Sequence, residues 1–494
     1  MVNLPHDLFS VEQTREMDRI ITEQHNVPAA TLMARAGTAA LALIKCRWPQ
    51  AKRLLILCGI GNNGGDGFEL AQQARAEGYH VVVIQVGKAP ISAESSTARD
   101  AFLSAGSHIQ DFKDALPSAD IIIDALLGTG INRKVSGELS AIITAVNKVT
   151  HTPILSLDIP SGLHADTGIA QGSAIKATIT ISFLGLNQGL FLNEGSYYSG
   201  TICFDPLQIS ATILGSFTPI IRRINLTDNA ALLAPRKRSG HKGLYGHLLV
   251  IGGDHGMSGA ARMAAEAAAR VGAGLTSIAT RVEHSHFVNL TRPELMCYGV
   301  ENTDDLSPLI KRANALTVGT GLGQTAWAEC LFQVAIESQL PMVIDADALN
   351  ILSRNPHHCD NWILTPHPGE AARLLGCTPA DIQADRFKAA EDLQKRYGGT
   401  IVLKGATTLI NNGEVPTRLS TWGNPGMASG GMGDVLTGVI GGLLAQGFSL
   451  MNAACVGVTL HGMAADKAAE QDGERGMLAM DLMPHLRHLA NRLY

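Results

Sequence analysis

The stretch "NPGMASGGMGDVLTG" occupies residues 424–438; five of its fifteen residues are glycine, and its one charged side chain is Asp434. An apolar helical pattern begins here, so the carboxylate lies among backbone amides at a helix start. Helix N-termini and glycine-built nests both attract anions, because N–H groups without partners converge there. Asp434 can be read as a helix cap or as a base held beside an anion that the amides bind. The surrounding sequence decides between them.

Upstream, short β-branched runs alternate with helical patterns. Strands are predicted at "GHLLVIGG" (246–253), "ALTVG" (315–319), "PMVIDA" (341–346), "WILTP" (362–366) and "TIVLKG" (400–405), with an alanine-rich helix at 258–271. An earlier series reads "RLLILC" (53–58), "HVVVIQV" (80–86), "ADIIIDAL" (119–126), "PILSLDI" (153–159) and "ATITISF" (177–183). None of these runs alternates apolar with polar, so both faces are buried, as in a parallel sheet between helices. The first fifty residues read as helices, and the last seventy as almost wholly helical. Periodicity lapses between Pro206 and Pro235, which predicts two different α/β domains, residues 1–222 and 223–494.

The chain has 494 residues, more than one hydrophobic core usually serves. Hydrophobic residues make up 46% and charged residues 17%, so it is globular rather than disordered. A net charge of −5 with scattered basic residues argues against nucleic acid or an anionic membrane as partner. The eight cysteines contain no C-x-x-C pair, which points to reduced thiols in the cytoplasm. The N-terminus has no signal-peptide pattern, and the apolar run at 435–450 falls short of a membrane span.

In parallel α/β sheets ligands collect at the carboxyl ends of strands. Four loops of the second half stand there: "VIGGDHGMSGA" (250–260), "VGTGLGQ" (318–324), "ILTPHPGE" (363–370) and "TIVLKGATTLI" (400–410). His367 either starts a helix, with Pro368 in the first turn and Glu370 complementing the dipole, or faces a ligand. Lys404, Thr407 and Thr408 suit a nucleotide phosphate, through charge and hydroxyls.

With "GMASGGMGDVLTG", these loops resemble the ribokinase-like superfamily. In the order "TPHPGE", "VLKGATT", "NPGMASGGMGDVLTG" they are similar to the ADP/ATP-dependent NAD(P)H-hydrate dehydratases, over about residues 225–490. Met432 stands where relatives more often carry Thr or Ser, but its backbone amide remains. The resemblance implies an anion hole at Gly431, Met432 and Gly433, with Asp434 as the catalytic base. It implies nucleotide contacts from Lys404, Gly405, Ala406, Thr407, Thr408 and Gly433, and substrate contacts from Gly321 and His367. ADP is the expected donor, ATP the alternative, with magnesium. Asp434 is expected to cap its helix as well.

In the first half, "LCGIGNNGGDGFELA" (57–71) follows a strand, and a helix is predicted from about Gly65. Its spacing is not the Rossmann G-x-G-x-x-G, and no acid about twenty residues on marks a ribose site. "IIIDALLGTGINR" (121–133) and "SLDIPSGLHADTG" (156–168) each end a strand on an acid, Asp124 and Asp158. Strand-end acids can merely cap loops; beside Asn63 and glycine loops they suggest a shared pocket whose oxygens suit a hard cation.

These three motifs resemble the NAD(P)H-hydrate epimerase domain. That resemblance implies potassium on Asn63, Asp124 and Ser161. It implies substrate phosphates on Asn62, Asn63, Gly64, Gly65 and Asp66, and on Gly128, Thr129, Gly130, Ile131, Asn132, Arg133 and Lys134, with Asp158 catalytic near the ring. Relatives usually carry an acid before the Ala-Gly of "LMARAG", where this chain has Ala34 and Arg35.

Together the halves imply a Rossmann-like three-layer α/β/α domain followed by a ribokinase-like α/β domain, acting on NADHX and NADPHX, with a homo-oligomer as the expected assembly. Two other readings stay open. One is a vitamin-type small-molecule kinase fused to a cofactor-binding regulatory module; the other is a flavin- or NAD-binding protein without turnover.

Overall fold

The computed structural model describes residues 4–87, 92–113, 115–224 and 231–491. The chain divides into two units, Met1–Ile221 and Arg222–Tyr494.

The strands of the first unit are β1 (Asp7–Phe9), β2 (Arg53–Cys58), β3 (His80–Gln85), β4 (Ile109–Gln110), β5 (Ile121–Ala125), β6 (Ile154–Leu157), β7 (Ile179–Phe183), β8 (Leu186–Asn187) and β9 (Thr201–Asp205). Seven of them form one sheet in the order β4-β3-β2-β5-β6-β7-β9, all parallel. Burial on both faces explains the unbroken apolar runs: Leu54 to Cys58 and Ile121 to Ala125 are all buried. A pair, β1 with β8, stands apart from this sheet. The first fifty residues are therefore not wholly helical. Three of them make a strand ahead of the helices Val11–Gln24 and Ala29–Arg47.

Helix Ala29–Arg47 is long and apolar enough by length and composition to cross a membrane. Its apolar stripe instead meets protein: Leu32, Met33, Ala36, Ala40, Leu41 and Ile44 are buried in the core of the unit.

A short strand, β10 (Ile221–Arg223), stands at the division between the units. The second unit then contributes β11 (His247–Ile251), β12 (Leu275–Thr280), β13 (Met296–Gly299), β14 (Ala315–Val318), β15 (Met342–Ile344), β16 (Trp362–Leu364), β17 (Thr400–Leu403), β18 (Thr408–Asn411) and β19 (Thr417–Ser420). These run in the order β13-β12-β11-β14-β15-β16-β17-β18-β19. Pairing is parallel as far as β17 and antiparallel from β17 to β19. Helix Met432–Ala445 is apolar nearly all round and sunk in the core, with Val435, Val439, Ile440 and Leu443 fully buried, and helix Leu450–Asp472 is buried along its first two-thirds, from Ala453 to Ala465.

Chain order reverses between β2 and β5 in the first unit, and between β11 and β14 in the second. Loops leaving such neighbouring strands diverge and leave a crevice at their carboxyl ends. In the first unit that crevice is floored by backbone packed on backbone: a Cβ on Gly59 would collide with the carbonyl of Leu126.

The closest helix contact of the second unit sets Gly438, on Met432–Ala445, against the main chain of Ala264 on Ser258–Arg270. Backbone on both sides cannot yield to a methyl group. Gly438→Ala should therefore lower stability by about 1–3 kcal/mol, measured by urea unfolding. Gly259→Ala, on the same partner helix but with open space around it, should be neutral or stabilising.

Candidate functional site

In the second unit the catalytic candidates meet at the start of helix Met432–Ala445. Gly431 is its N-cap with φ of 91°, a left-handed value that glycine adopts without strain. The first amide to bond back is that of Val435, to the Gly431 carbonyl at 3.0 Å. The amides of Met432, Gly433 and Asp434 thus have no acceptor within the helix. The expectation that Asp434 caps the helix is not met: it is the third residue of the first turn, and no side chain caps this end. The glycine turn already supplies the cap conformation, which leaves the carboxylate free for another task.

What surrounds Asp434 is a buried charge network. Lys404 Nζ donates to Asp345 Oδ1 at 2.8 Å and stands 3.9 Å from Glu370 Oε2. Thr437 Oγ1 donates to Asp345 Oδ2 at 2.7 Å. Burial works against the charge of Lys404, but Asp345 and Glu370 outweigh it and hold the ammonium above its usual range. Burial pushes the Asp434 carboxyl up to about 7, with the negative charge of Asp345 adding to the rise and Lys404 opposing it. A Cβ on Gly433 would stand 3.4 Å from Lys404 Nζ, so the ammonium faces the bare amides of the helix start.

His367 caps helix Pro368–Leu375: its Nδ1 accepts from the Gly369 amide at 2.9 Å, and its own amide donates to Glu370 Oε2 at 2.8 Å. The helix-start reading of His367 is thus correct in geometry. Burial, then Lys404 and Arg373, lower its pKa, so the ring is neutral and Nδ1 is free to accept. Gly321, with φ of 58°, follows β14 and takes the Asp254 amide on its carbonyl at 2.6 Å.

The loop between β17 and β18 carries Lys404 to Thr407, and Thr408 opens β18. Beneath it lies Arg386, which is 3% exposed and donates to the carbonyls of Leu403, Lys404 and Thr407 at 3.1, 3.2 and 2.8 Å. Its Nη1 is 3.5 Å from Thr407 Oγ1. No carboxylate among the described residues pairs with it, and burial lowers its pKa to about 10. Nothing in the sequence around Arg386 signals this. Asp345 was legible in principle, since "PMVIDA" ends a strand on an acid as Asp124 and Asp158 do.

In the first unit a cavity of about 920 Å³ opens at the crevice. It is lined by Asn62, Asn63, Asp66, the whole loop from Gly128 to Lys134, and Asp158. Gly64 and Gly65 do not line it; they are buried inside helix Asn62–Ala76, which starts three residues before the expected Gly65. Ala34 is also absent from the wall, which takes Leu32, Met33 and Ala36 from its helix.

Asp158 has φ of 63°, unusual for any residue but glycine, and burial, then Asp18, push its carboxyl up to about 7. Asp66 is raised by burial, then by Asp158 and Asp18.

Asp124 and Ser161 sit behind the cavity wall, both fully buried. The Asp124 carboxylate accepts from the Ser161 amide (2.8 Å), Ser161 Oγ (2.5 Å) and Ser156 Oγ (2.8 Å). Asn63 Nδ2 donates to the Leu127 carbonyl at 2.9 Å, while its buried Oδ1 has no partner. An orphaned amide oxygen beside a hydroxyl, a carboxylate and a carbonyl is a donor set that fits a hard monovalent cation. Among the described residues, no group of three or more His, Cys, Asp or Glu is arranged to hold a metal.

Fold and sites together define two α/β enzyme domains, the second of them ribokinase-like. Residues 248–487 match the family model described as NAD(P)H-hydrate dehydratase, and residues 29–189 match that of the YjeF-related protein N-terminus. The bifunctional NAD(P)H-hydrate repair enzyme of Coxiella burnetii is 46% identical over 486 residues, covering 98% of this chain and 99% of its own.

Among solved structures, a ribokinase-like superfamily protein from Enterococcus faecalis is 28% identical with a TM-score of 0.52. That match covers 56% of this chain and 96% of the other. The ADP/ATP-dependent NAD(P)H-hydrate dehydratase from Bacillus subtilis, co-crystallised with ATP and magnesium, is 28% identical with a TM-score of 0.50. It covers 55% of this chain and 98% of the other. The chain belongs to the family of bifunctional NAD(P)H-hydrate repair enzymes.

Arg386→Gln should loosen the loop it holds. Hydrogen bonds to a charged donor contribute about 1.5–3 kcal/mol each, so amide hydrogen exchange across residues 403–408 should speed roughly tenfold to a hundredfold. Exchange at the parent rate would mean that the loop is held by its own turn.

Proposed function

We propose that residues 1–222 epimerise the R and S forms of NADHX and NADPHX, and that residues 223–494 dehydrate the S form to NADH or NADPH at the expense of ADP. The observation that carries this reading is Asp434: a carboxylate with its pKa raised to about 7, beside three helix-start amides and opposite the Lys404 ammonium.

The substrate is a nicotinamide ring hydrated at C6. Asp434 takes the proton of the C6 hydroxyl as its oxygen attacks the terminal phosphorus of the nucleotide, and AMP leaves. The amides of Gly431, Met432 and Gly433 bear the charge of the transferring phosphoryl group. Lys404, Gly405, Ala406, Thr407 and Thr408 hold the nucleotide; Gly321 and His367 face the hydrate. The C6–O bond then breaks, phosphate departs with the bonding pair, and loss of a ring proton restores the double bond. Magnesium would enter with the nucleotide phosphates and offset their charge, needing only one or two protein carboxylates.

In the first unit, epimerisation requires the C6–oxygen bond to break and re-form on the opposite face. Asp158 moves the proton of the departing and returning water and stabilises the electron-poor ring between them. Asn63, Asp124 and Ser161 would hold potassium, whose charge would help fix the loops around the substrate's phosphates. The eight free cysteines suit a reducing cytoplasm.

Two experiments test the proposal. Asp434→Asn should cut nucleotide-dependent recovery of the reduced-ring absorbance by about 100-fold or more, while epimerisation continues. A base must be deprotonated, so parent kcat/KM for dehydration should fall as pH drops below about 7, rather than near the usual carboxylate range. The Asn variant should lose that limb. Dehydration by the variant within a few-fold of the parent would remove Asp434 from the chemistry.

For the first unit, Asp158→Ala should slow equilibration of separated epimers, followed by chromatography, and retain the rise in melting temperature on adding potassium. Asp124→Ala should lose both. Equilibration at the parent rate in the Asp158 variant would exclude it as the acid-base group.

A further inference from the structure

The helix Val11–Gln24 precedes residue 29, where the family match begins, and none of its residues was singled out by the motifs. Met17 and Ile21 are fully buried in the core of the first unit. A neighbouring face, Thr14, Arg15, Asp18 and Thr22, lines the 920 Å³ cavity. Positions i, i+1, i+4 and i+8 share one side of an α-helix, so this wall follows from the helical period once the core stripe is seated.

The seat is well defined. Ser10 and Gln13 form a capping box, the Val11 amide donates to Asp166 Oδ1 at 2.8 Å, and Gln13 Nε2 donates to the Thr218 carbonyl at 2.9 Å. β1, just ahead of the helix, is paired with β8.

On this helix the two arginines have different surroundings. Arg19 faces away from the cavity and pairs with Glu16 and Glu23, each at 2.7 Å. Arg15 pairs with no carboxylate among the described residues. Its Nη2 lies 3.5 Å from where a Cβ on Gly130 would stand, which is ordinary contact with the middle of the Gly128–Lys134 loop. Arg133 and Lys134 of that loop line the same cavity. Asp18, one turn along the same helix, also lines the cavity and raises the pKa of both Asp158 and Asp66. Three cationic side chains, Arg15, Arg133 and Lys134, thus line the cavity at the middle and far end of the 128–134 loop, while Asp158 stands at its start, its Oδ2 3.4 Å from where a Cβ on Gly128 would be.

We infer that Arg15 is a phosphate-binding residue of this cavity, gripping a phosphate of the dinucleotide against the Gly128–Lys134 loop from a helix outside the matched family segment. An exposed guanidinium that no described carboxylate pairs with, beside a glycine loop, is arranged for bidentate contact with phosphate oxygens. The inference rests on the epimerase reading of the first unit. It goes beyond that reading by naming a third wall and its role in substrate affinity.

The test is steady-state epimerisation of NADHX and NADPHX by parent, Arg15→Gln, Arg15→Lys and Arg19→Gln. Arg15→Gln should raise KM roughly tenfold to a hundredfold with kcat changed less than about threefold. Arg15→Lys should recover part of the affinity, and Arg19→Gln, which removes the same charge from the other face, should match the parent. A rise shared by both substrates would assign Arg15 to the pyrophosphate; a rise for NADPHX alone would assign it to the 2′-phosphate.

KM within twofold of the parent for both substrates, or a fall confined to kcat, would overturn the inference. A parent that equilibrates neither substrate would instead refute the epimerase reading, and NADP⁺ is then used to separate the two. A rise in melting temperature on adding NADP⁺ that Arg15→Gln diminishes supports phosphate binding by Arg15, and an undiminished rise overturns it.

Discussion

Both units depend on one constraint of parallel sheets. Where chain order reverses, two neighbouring strands send their following segments to opposite faces, and nothing fills the space at their carboxyl ends. β2 and β5 make that gap in the first unit, β11 and β14 in the second. Glycine loops cross the gap because backbone must approach backbone there, and the acids that end strands point into it or stand just behind it.

At such a place charge is cheap to position and hard to hydrate. In the second unit the result is a graded network. Asp345 is matched by Lys404 and Thr437, while Asp434 gains less from Lys404 than it loses to burial and to Asp345. One carboxylate thus takes the hydrogen bonds of Lys404 and Thr437, while the other is left beside the helix-start amides with its basicity raised. In the first unit burial raises both Asp124 and Asp158; the donors of Ser161 and Ser156 oppose the rise at Asp124, whereas Asp18 adds to it at Asp158, which faces the cavity.

Arg386 extends this economy one layer down. A buried guanidinium satisfied chiefly by carbonyls fixes the path of the loop that carries Lys404. Its charge stays uncompensated by any described carboxylate beneath a loop proposed to hold phosphates. Arg15 likewise pairs with no described carboxylate, on a helix secured by its own core stripe and capping box.

Much of this was legible in the chain. Apolar runs without alternation determined parallel sheets buried on both faces, and the glycine loops following them determined where ligands collect. The order of motifs determined two unlike α/β halves and the family. Local patterns were read correctly where the physics is local, as in the His-Pro start of helix Pro368–Leu375. They failed where partners are distant. Asp434 lies in the first turn without capping, because Gly431 had already set the turn; helix Asn62–Ala76 begins earlier than its glycines suggested; and a strand precedes the N-terminal helices because β8, far along the chain, pairs with it. Only the tertiary structure brought Asp345 to Lys404, Arg386 beneath the 403–408 loop, and Arg15 and Asp18 into the first cavity. Sequence spacing specifies which face a residue takes on its own helix or strand, but burial and the field of other charges are set by segments tens to hundreds of residues away.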